Sequence, residues 1–454
     1  MRAAPRRLPM TRTARPGAGA AQGLGWRSPA TLLVALMLAG SVVAEPAPAG
    51  YKHLGAASCG SSVCHGKVAP QSGPKQIPLN EYRIWFNNDR HRQAYLALES
   101  IQSRQIAAKL GLPNATQPLC LGCHSDDVPK ALQGPKYSIR DGVSCEACHG
   151  GSERWIQSHT EAGATHAGNV AQGLYASEQP LKRAELCLSC HLGTRDKFAT
   201  HAIMGAGHPR LYFELGAFTE DQPPHFKVTP YYESRKGKIG VATLWLTGQI
   251  ESAKRYLALL QTPLFTPGGI TPELALYDCN ACHHSKEKMR WSQAHAGAGV
   301  KPGSLRLQRQ SLTMLQAFLE SSGSGDGAAQ LGAAADALIR AGASDPSSVK
   351  AASQKLLALI RSIEPATQRE MPREQIEKLR RMLLHYAAQD KASDYAIAEQ
   401  VVLGAQTLTY ALVVGDQQKD HKEAFKVLFT SLGTGADFNP VQFAEVARKM
   451  EAQF

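Results

Sequence analysis

After Cys282 the chain has no cysteine, and before it none that stands outside a pair, so thiol chemistry is confined to the stretch from Ser58 to His284. Histidine thins out in the same way: beyond residue 296 only His385 and His421 remain. No apolar run after residue 43 is long enough to cross a bilayer, so the mature chain is expected to be soluble. No basic stripe is interleaved with aromatics, which sets nucleic acid aside as a partner. Aromatic residues make up 7% of the chain. Between Tyr51 and Trp291 both aromatic and aliphatic side chains are sparse while Gly, Ser, Pro and His are frequent, so that half lacks the material for a core of its own.

Acidic residues are absent from the first 44 positions, where Arg2, Arg6, Arg7, Arg12, Arg15 and Arg27 precede an apolar run from Ala30 to Val43. With Val42-Val43-Ala44 as a small-residue cleavage site, residues 1–44 are expected to be a secretory signal peptide, the alternative being an uncleaved N-terminal anchor. The formal charge of +12 falls to 12 − 6 = +6 once those six arginines are removed.

What is present is a ladder of five cysteine pairs, each closed by a histidine: Cys59-Gly-Ser-Ser-Val-Cys64-His65, Cys120-Leu-Gly-Cys123-His124, Cys145-Glu-Ala-Cys148-His149, Cys187-Leu-Ser-Cys190-His191 and Cys279-Asn-Ala-Cys282-His283. Four are C-x-x-C-H, and the first carries two extra residues that must bulge. Two thiols at this spacing add across the vinyl groups of one porphyrin, and the adjacent imidazole becomes the proximal iron ligand. A zinc reading needs two Cys pairs per four-ligand site and leaves the trailing histidines unexplained. The expectation is five covalently bound c-type haems, with His65, His124, His149, His191 and His283 as proximal ligands. Covalent haem attachment takes place outside the cytoplasm, in agreement with the leader, so the expected location is the periplasm. About ten propionates would occupy many of the remaining Lys and Arg.

Sixteen histidines less five proximal ones leave eleven, nine of them in the Cys-bearing half. A second imidazole on each iron gives a low-spin electron-transfer centre. The expected distal candidates are His53, His91, His159, His201 and His208, with His166 and His225 next. His91 lies on a helix after Trp85; His159, ten residues after the third motif, is too far to ligate its own haem on the other face and well placed to reach a neighbouring one; His201 and His208, seven apart, suit two different irons. His284 points away from the iron of its neighbour, and Met204 is a further possible ligand.

The expected fold class is mainly α: a multihaem cytochrome c domain of short helices and loops over 45–296, then an all-α region of four to six helices over 301–454. Apolar spacing predicts one amphipathic helix from Glu81 to Leu98 and a small hairpin around Lys236-Gly-Lys238. Ala296 to Gly303 reads as a loop. In the tail, Leu312, Leu315 and Leu319, then Ile376, Leu379 and Leu383, then Ile397, Val401, Leu408 and Leu412 repeat at helical spacing.

Glu81-Tyr-Arg-Ile-Trp85 through His91, the Gly-Val-Ser-Cys-Glu-Ala-Cys-His-Gly block from Gly142 to Gly150 followed by His159, and Cys187-Leu-Ser-Cys-His-Leu192 resemble the tetrahaem cytochromes that accept electrons from hydroxylamine oxidoreductase, over about Gly55 to Leu192. The resemblance implies close-stacked haem pairs, with His91 and His159 as distal ligands of haems other than those nearest in sequence. It also implies a five-coordinate second haem, which would place an open iron on His124. The longer first motif, the fifth motif and the tail depart from that pattern.

The reading that follows is a periplasmic pentahaem electron carrier working between a redox-protein donor and acceptor. The alternative is an oxidoreductase acting on a small nitrogen or sulfur species at one open haem; no Cys-x-x-Cys-Lys motif accompanies it. A third reading makes the chain a subunit of a larger complex, docked through its tail.

Overall fold

Short helices, about half of them capped by a side chain, make up most of the Cys-bearing half, the long exception being Val241–Leu259. The computed structural model describes residues 50–453 apart from 74–76, 239, 266–271, 284–298, 302, 345, 390–391, 393, 414–416 and 436. The expected signal peptide, His284 and His295 lie outside the described residues. Among the described residues there is no strand ladder, only isolated bridges such as His53 with Gln133, and the fold is mainly α.

The expected Glu81–Leu98 helix is two helices, Glu81–Asn88 and Arg90–Leu98. Asp89 breaks it: its backbone is extended (φ −86°, ψ 127°) and its side chain accepts from the His91 N–H, capping the second helix. Apolar residues recur on both sides of the break, so spacing alone does not see it. Trp85 donates its indole N–H to the Val143 carbonyl at 3.1 Å, and Val143 N–H donates to the His91 carbonyl at 3.0 Å. The Glu81–His91 stretch is thus tied directly to the approach to the third motif.

The expected hairpin near Lys236 is helical on both sides. Pro230–Lys236 ends at Gly237 (φ 82°), and Val241–Leu259 follows. Thr229 caps the first of these and Pro230 occupies its first turn, where a missing N–H costs nothing.

The C-terminal helices are Gln310–Ser321, Gly325–Ser344, Val349–Arg361, Arg373–Ala388, Tyr395–Leu412, Gln417–Thr430 and Pro440–Glu451, seven among the described residues where four to six were expected. Their core recruits an eighth helix from before the fifth motif: Trp245, Leu246, Ile250 and Leu257 are buried with Leu315, Leu338, Leu383, Val401 and Leu408 in one apolar cluster. The loop around residue 300 therefore does not divide two cores, and Pro48–Phe454 is one compact unit.

Candidate haem sites

Four of the five motifs are carried by a short helical segment that brings the histidine round after its cysteines, and the first is a run of turns that follows the 3-10 turn Ala56–Ser58. Pro118–His124 and Cys145–His149 are helices bounded by the second and third motifs, and the fourth forms the last turn of Pro180–His191. The fifth begins on a 3-10 turn, Cys279–Ala281, capped by Asp278. In the first, Ser61, Ser62 and Val63 bulge into solvent, and the His65 N–H still reaches the Cys59 carbonyl at 3.1 Å, so the two extra residues leave the ends of the motif together.

Every motif histidine faces one second histidine. Ring centres are 6.2 Å apart for His65 and His159, 6.3 Å for His124 and His208, 6.4 Å for His149 and His225, 6.3 Å for His191 and His91, and 6.3 Å for His283 and His201. Two imidazoles on one metal stand about 6.3 Å apart by ring centre, from two metal–nitrogen bonds of about 2 Å and about 1.1 Å from each nitrogen to its ring centre. Rings in simple contact span a wider range, from 4.6 Å for His191 and Phe213 to 6.3 Å for Trp85 and Phe86, so what points to a shared metal is the narrow recurrence of the spacing at every motif histidine. Five-fold repetition of the metal-bridged spacing fits five bis-histidine irons. The buried indole N–H of Trp155, whose ring lies edge-on to His159, has no protein partner and fits a porphyrin carboxylate.

Hydrogen bonds to Nδ1 aim the opposite nitrogen into these gaps. His124 Nδ1 donates to the Ala94 carbonyl (2.9 Å), His159 to Trp155 (3.2 Å), His208 to Pro209 (2.8 Å) and His225 to Pro223 (3.4 Å). A carbonyl only accepts, so Nδ1 holds the proton and Nε2 keeps the lone pair a metal requires. His65 and His91 use carboxylates instead, Glu81 at 2.9 Å and Asp89 at 3.0 Å. Those hydrogen bonds raise the pKa of both imidazoles, whereas burial pushes His149 and His191 down to about 4 and lowers His208 and His225.

The motifs also meet one another. The sulfurs of Cys59 and Cys145 lie close together, as do those of Cys123 and Cys190. Glu146, inside the third motif and buried, accepts from the Leu54 N–H (2.7 Å), the Gly55 N–H (2.6 Å) and the Ser152 N–H (2.8 Å), pinning the entry to the first motif against the third. Lys197 Nζ lies 3.2 Å from Cys190 Sγ, placing a cation beside the second and fourth motifs.

Of the expected distal set, His91, His159, His201 and His208 each lie across from a motif histidine, and His53 does not. Its Nδ1 is 2.8 Å from Asp126 and its backbone bridges Gln133, which draws the ring into a buried hydrogen-bonded cluster with Asp126 and Ser144. His225 takes the fifth place, from Gln222-Pro-Pro-His225, whose two prolines stiffen the approach much as Pro209 follows His208. His166 spends Nε2 on Glu178 at 2.8 Å. Met204 lies one turn from His201 and lines a cavity with Cys279, Arg210 and Tyr395. The open position that the resemblance implies at His124 is faced here by His208.

Residues 58–150 match the family described as cytochrome c554 and c-prime, a span that holds the first three motifs and His91. No curated protein and no solved structure matches the chain. The chain carries covalently bound c-type haem and is an electron-transfer haem protein.

Proposed function

We propose that the protein is a periplasmic pentahaem cytochrome that passes single electrons between a redox-protein donor and acceptor, with every iron closed by two histidines. The observation that carries this reading is the 6.2–6.4 Å spacing of five histidine pairs, one for each Cys-bearing motif. When bound, the haems supply one-electron chemistry whose potentials follow axial ligation, burial and nearby charge. The chain's part is to hold and insulate them. Ten cysteines anchor the rings, five proximal histidines (65, 124, 149, 191, 283) are matched with 159, 208, 225, 91 and 201, and Nδ1 partners fix the direction of six of the ten imidazoles.

Closure by His208 at the second motif counts against the alternative of small-molecule catalysis there, since a substrate would have to displace an imidazole. Adjacent thiols at Cys59/Cys145 and Cys123/Cys190 favour two close haem couples, motifs one with three and two with four. Export rests on the basic leader and on the place where haem is covalently attached.

The test is a pyridine haemochrome assay with intact mass, joined to an oxidised spectrum and carbon monoxide addition after reduction. Five haem equivalents, a mature mass starting after residue 44, a fully low-spin spectrum and no carbon monoxide band are expected. Three equivalents or fewer would sink the pentahaem reading, and a carbon monoxide complex in the native protein would reopen the enzymatic one.

A further inference from the structure

His208 stands on a segment that does little to hold itself. From Gly207 to Glu214 the backbone is neither helix nor strand, and Gly207 (φ 123°) adopts a conformation that a side chain would strain. Upstream, the segment is secured by the His208 N–H to the Ile203 carbonyl at 3.3 Å and by Gln102 Nε2 to the Gly207 carbonyl at 3.1 Å. The stronger fixings come from downstream and from far away in sequence. Arg210, two residues after His208, places Nη2 2.5 Å from Glu399 Oε1 and lies over the Tyr395 ring at 5.1 Å. Tyr395 and Glu399 are one turn apart on the Tyr395–Leu412 helix, so the guanidinium is gripped between a ring and a carboxylate. The same helix offers Gln400 Nε2 to the Phe213 carbonyl at 2.9 Å, and Thr407 Oγ1 to Glu214 Oε2 at 2.7 Å. Phe213 in turn stacks on His191 at 4.6 Å.

We infer that the Tyr395–Leu412 helix is a brace that keeps His208 over His124, acting through the Arg210–Glu399 ion pair, so that the helical tail sets whether the second motif's iron is closed. This rests on the bis-histidine reading above and adds a role for the C-terminal region that the motifs do not require. Arg210 and Glu399 are positioning residues: neither touches the iron. The pair is placed to act at a distance because Glu399 is almost wholly buried, its side chain 4% exposed, while Arg210 retains a route to solvent at 31%. Neutralising Glu399 removes the carboxylate that Arg210 pairs with among the described residues and lets the guanidinium swing outward, carrying the loop with it. Losing one member of a buried pair is costly because the other is left uncompensated.

The experiment compares the full-length holoprotein with Glu399→Gln, Arg210→Gln, Arg210→Lys and His208→Ala at equal haem content, reading the high-spin ferric band and carbon monoxide binding after reduction. His208→Ala is the reference and should open one iron in five. Glu399→Gln and Arg210→Gln should produce that same one-in-five signature in a substantial fraction of molecules, and Arg210→Lys, which keeps the charge, should stay low-spin. Should either of the two glutamine variants fail to accumulate, the other provides the readout, since one removes the buried charge and the other the exposed one. If His208→Ala opens an iron but the glutamine variants remain fully low-spin, the brace is wrong and the ligand assignment stands. If His208→Ala itself leaves every iron low-spin, the assignment of His208 as a ligand fails, and the brace with it.

Discussion

At the scale of single residues, the groups behind the imidazoles differ more than the imidazoles themselves. His65 leans on a carboxylate, and although burial opposes it, the hydrogen bond from His65 keeps Glu81 below its usual pKa. An anionic acceptor makes the ring a stronger donor to iron and favours the oxidised state. Glu81→Gln should therefore raise the potential of the first haem by on the order of tens of millivolts in a spectroelectrochemical titration, leaving the other components in place. Ring orientation provides a second handle. The planes of His65 and His159 are 10° apart, and those of His201 and His283 33°, whereas the other three pairs lie between 78° and 87°. Near-parallel and near-perpendicular imidazoles split the ferric d orbitals differently, so electron paramagnetic resonance should resolve ordinary rhombic signals and strongly anisotropic ones; a single rhombic class would contradict the geometry. Asp278 is not an iron ligand but caps the turn that opens the fifth motif. Burial, and the Asp394 carboxylate next to it, push its pKa up to about 8, against the pull of Arg306. A carboxyl raised in the folded state holds a proton that the unfolded chain has released, so its stabilisation is complete below the ordinary value near 3.8 and is lost as pH rises to about 8. Urea unfolding between pH 5 and 7.5 should show stability falling by up to about 1.4 kcal/mol per pH unit from this group, and Asp278→Asn should flatten that slope.

At the scale of elements, breaks and close approaches matter more than propensity. Sequence spacing correctly placed apolar residues on the Glu81–Leu98 stretch, but the cap at Asp89 is a local competition between side chain and backbone that periodicity does not register. The result is useful, because the break turns His91 out beside the carboxylate that orients it. A second case is the crossing of Val241–Leu259 with Tyr395–Leu412. A Cβ added at Gly404 would lie 2.5 Å from Trp245 Nε1 and 3.1 Å from a Leu383 methyl, and Trp245 is fully buried with nowhere to move. Helix propensity alone predicts that Gly404→Ala stabilises by about 1 kcal/mol. Overpacking of this severity costs about 1–3 kcal/mol. The clash should win or at least cancel the gain, so a chemical unfolding curve with a clearly raised midpoint would refute the crossing.

At the scale of the whole molecule, the haem-bearing half and the helical tail share what each lacks alone. The N-terminal half has few apolar side chains beyond those packed on its motifs, while the tail's core reaches back across the fifth motif to Ala242. Truncation after Val300 would strip Trp245, Leu246, Ile250 and Leu257 of most of their packing partners and is expected to abolish soluble holoprotein, as measured by haem-stained soluble yield; full yield would mean the two regions are independent. What the sequence by itself determined is where thiol pairs and their adjacent imidazoles stand, because Cys-x-x-Cys-His chemistry is complete within one turn of chain. The mainly helical class was legible too, through the tail's repeating leucines. Which imidazole faces each motif was decided only in three dimensions: His65 meets His159 and His124 meets His208 across long stretches of chain that include several helices, and nothing in their local spacing separates His225 from His53. The physical reason is that a distal ligand is selected by the place to which the intervening elements carry it, and here those elements are held by contacts as remote as Arg210 with Glu399.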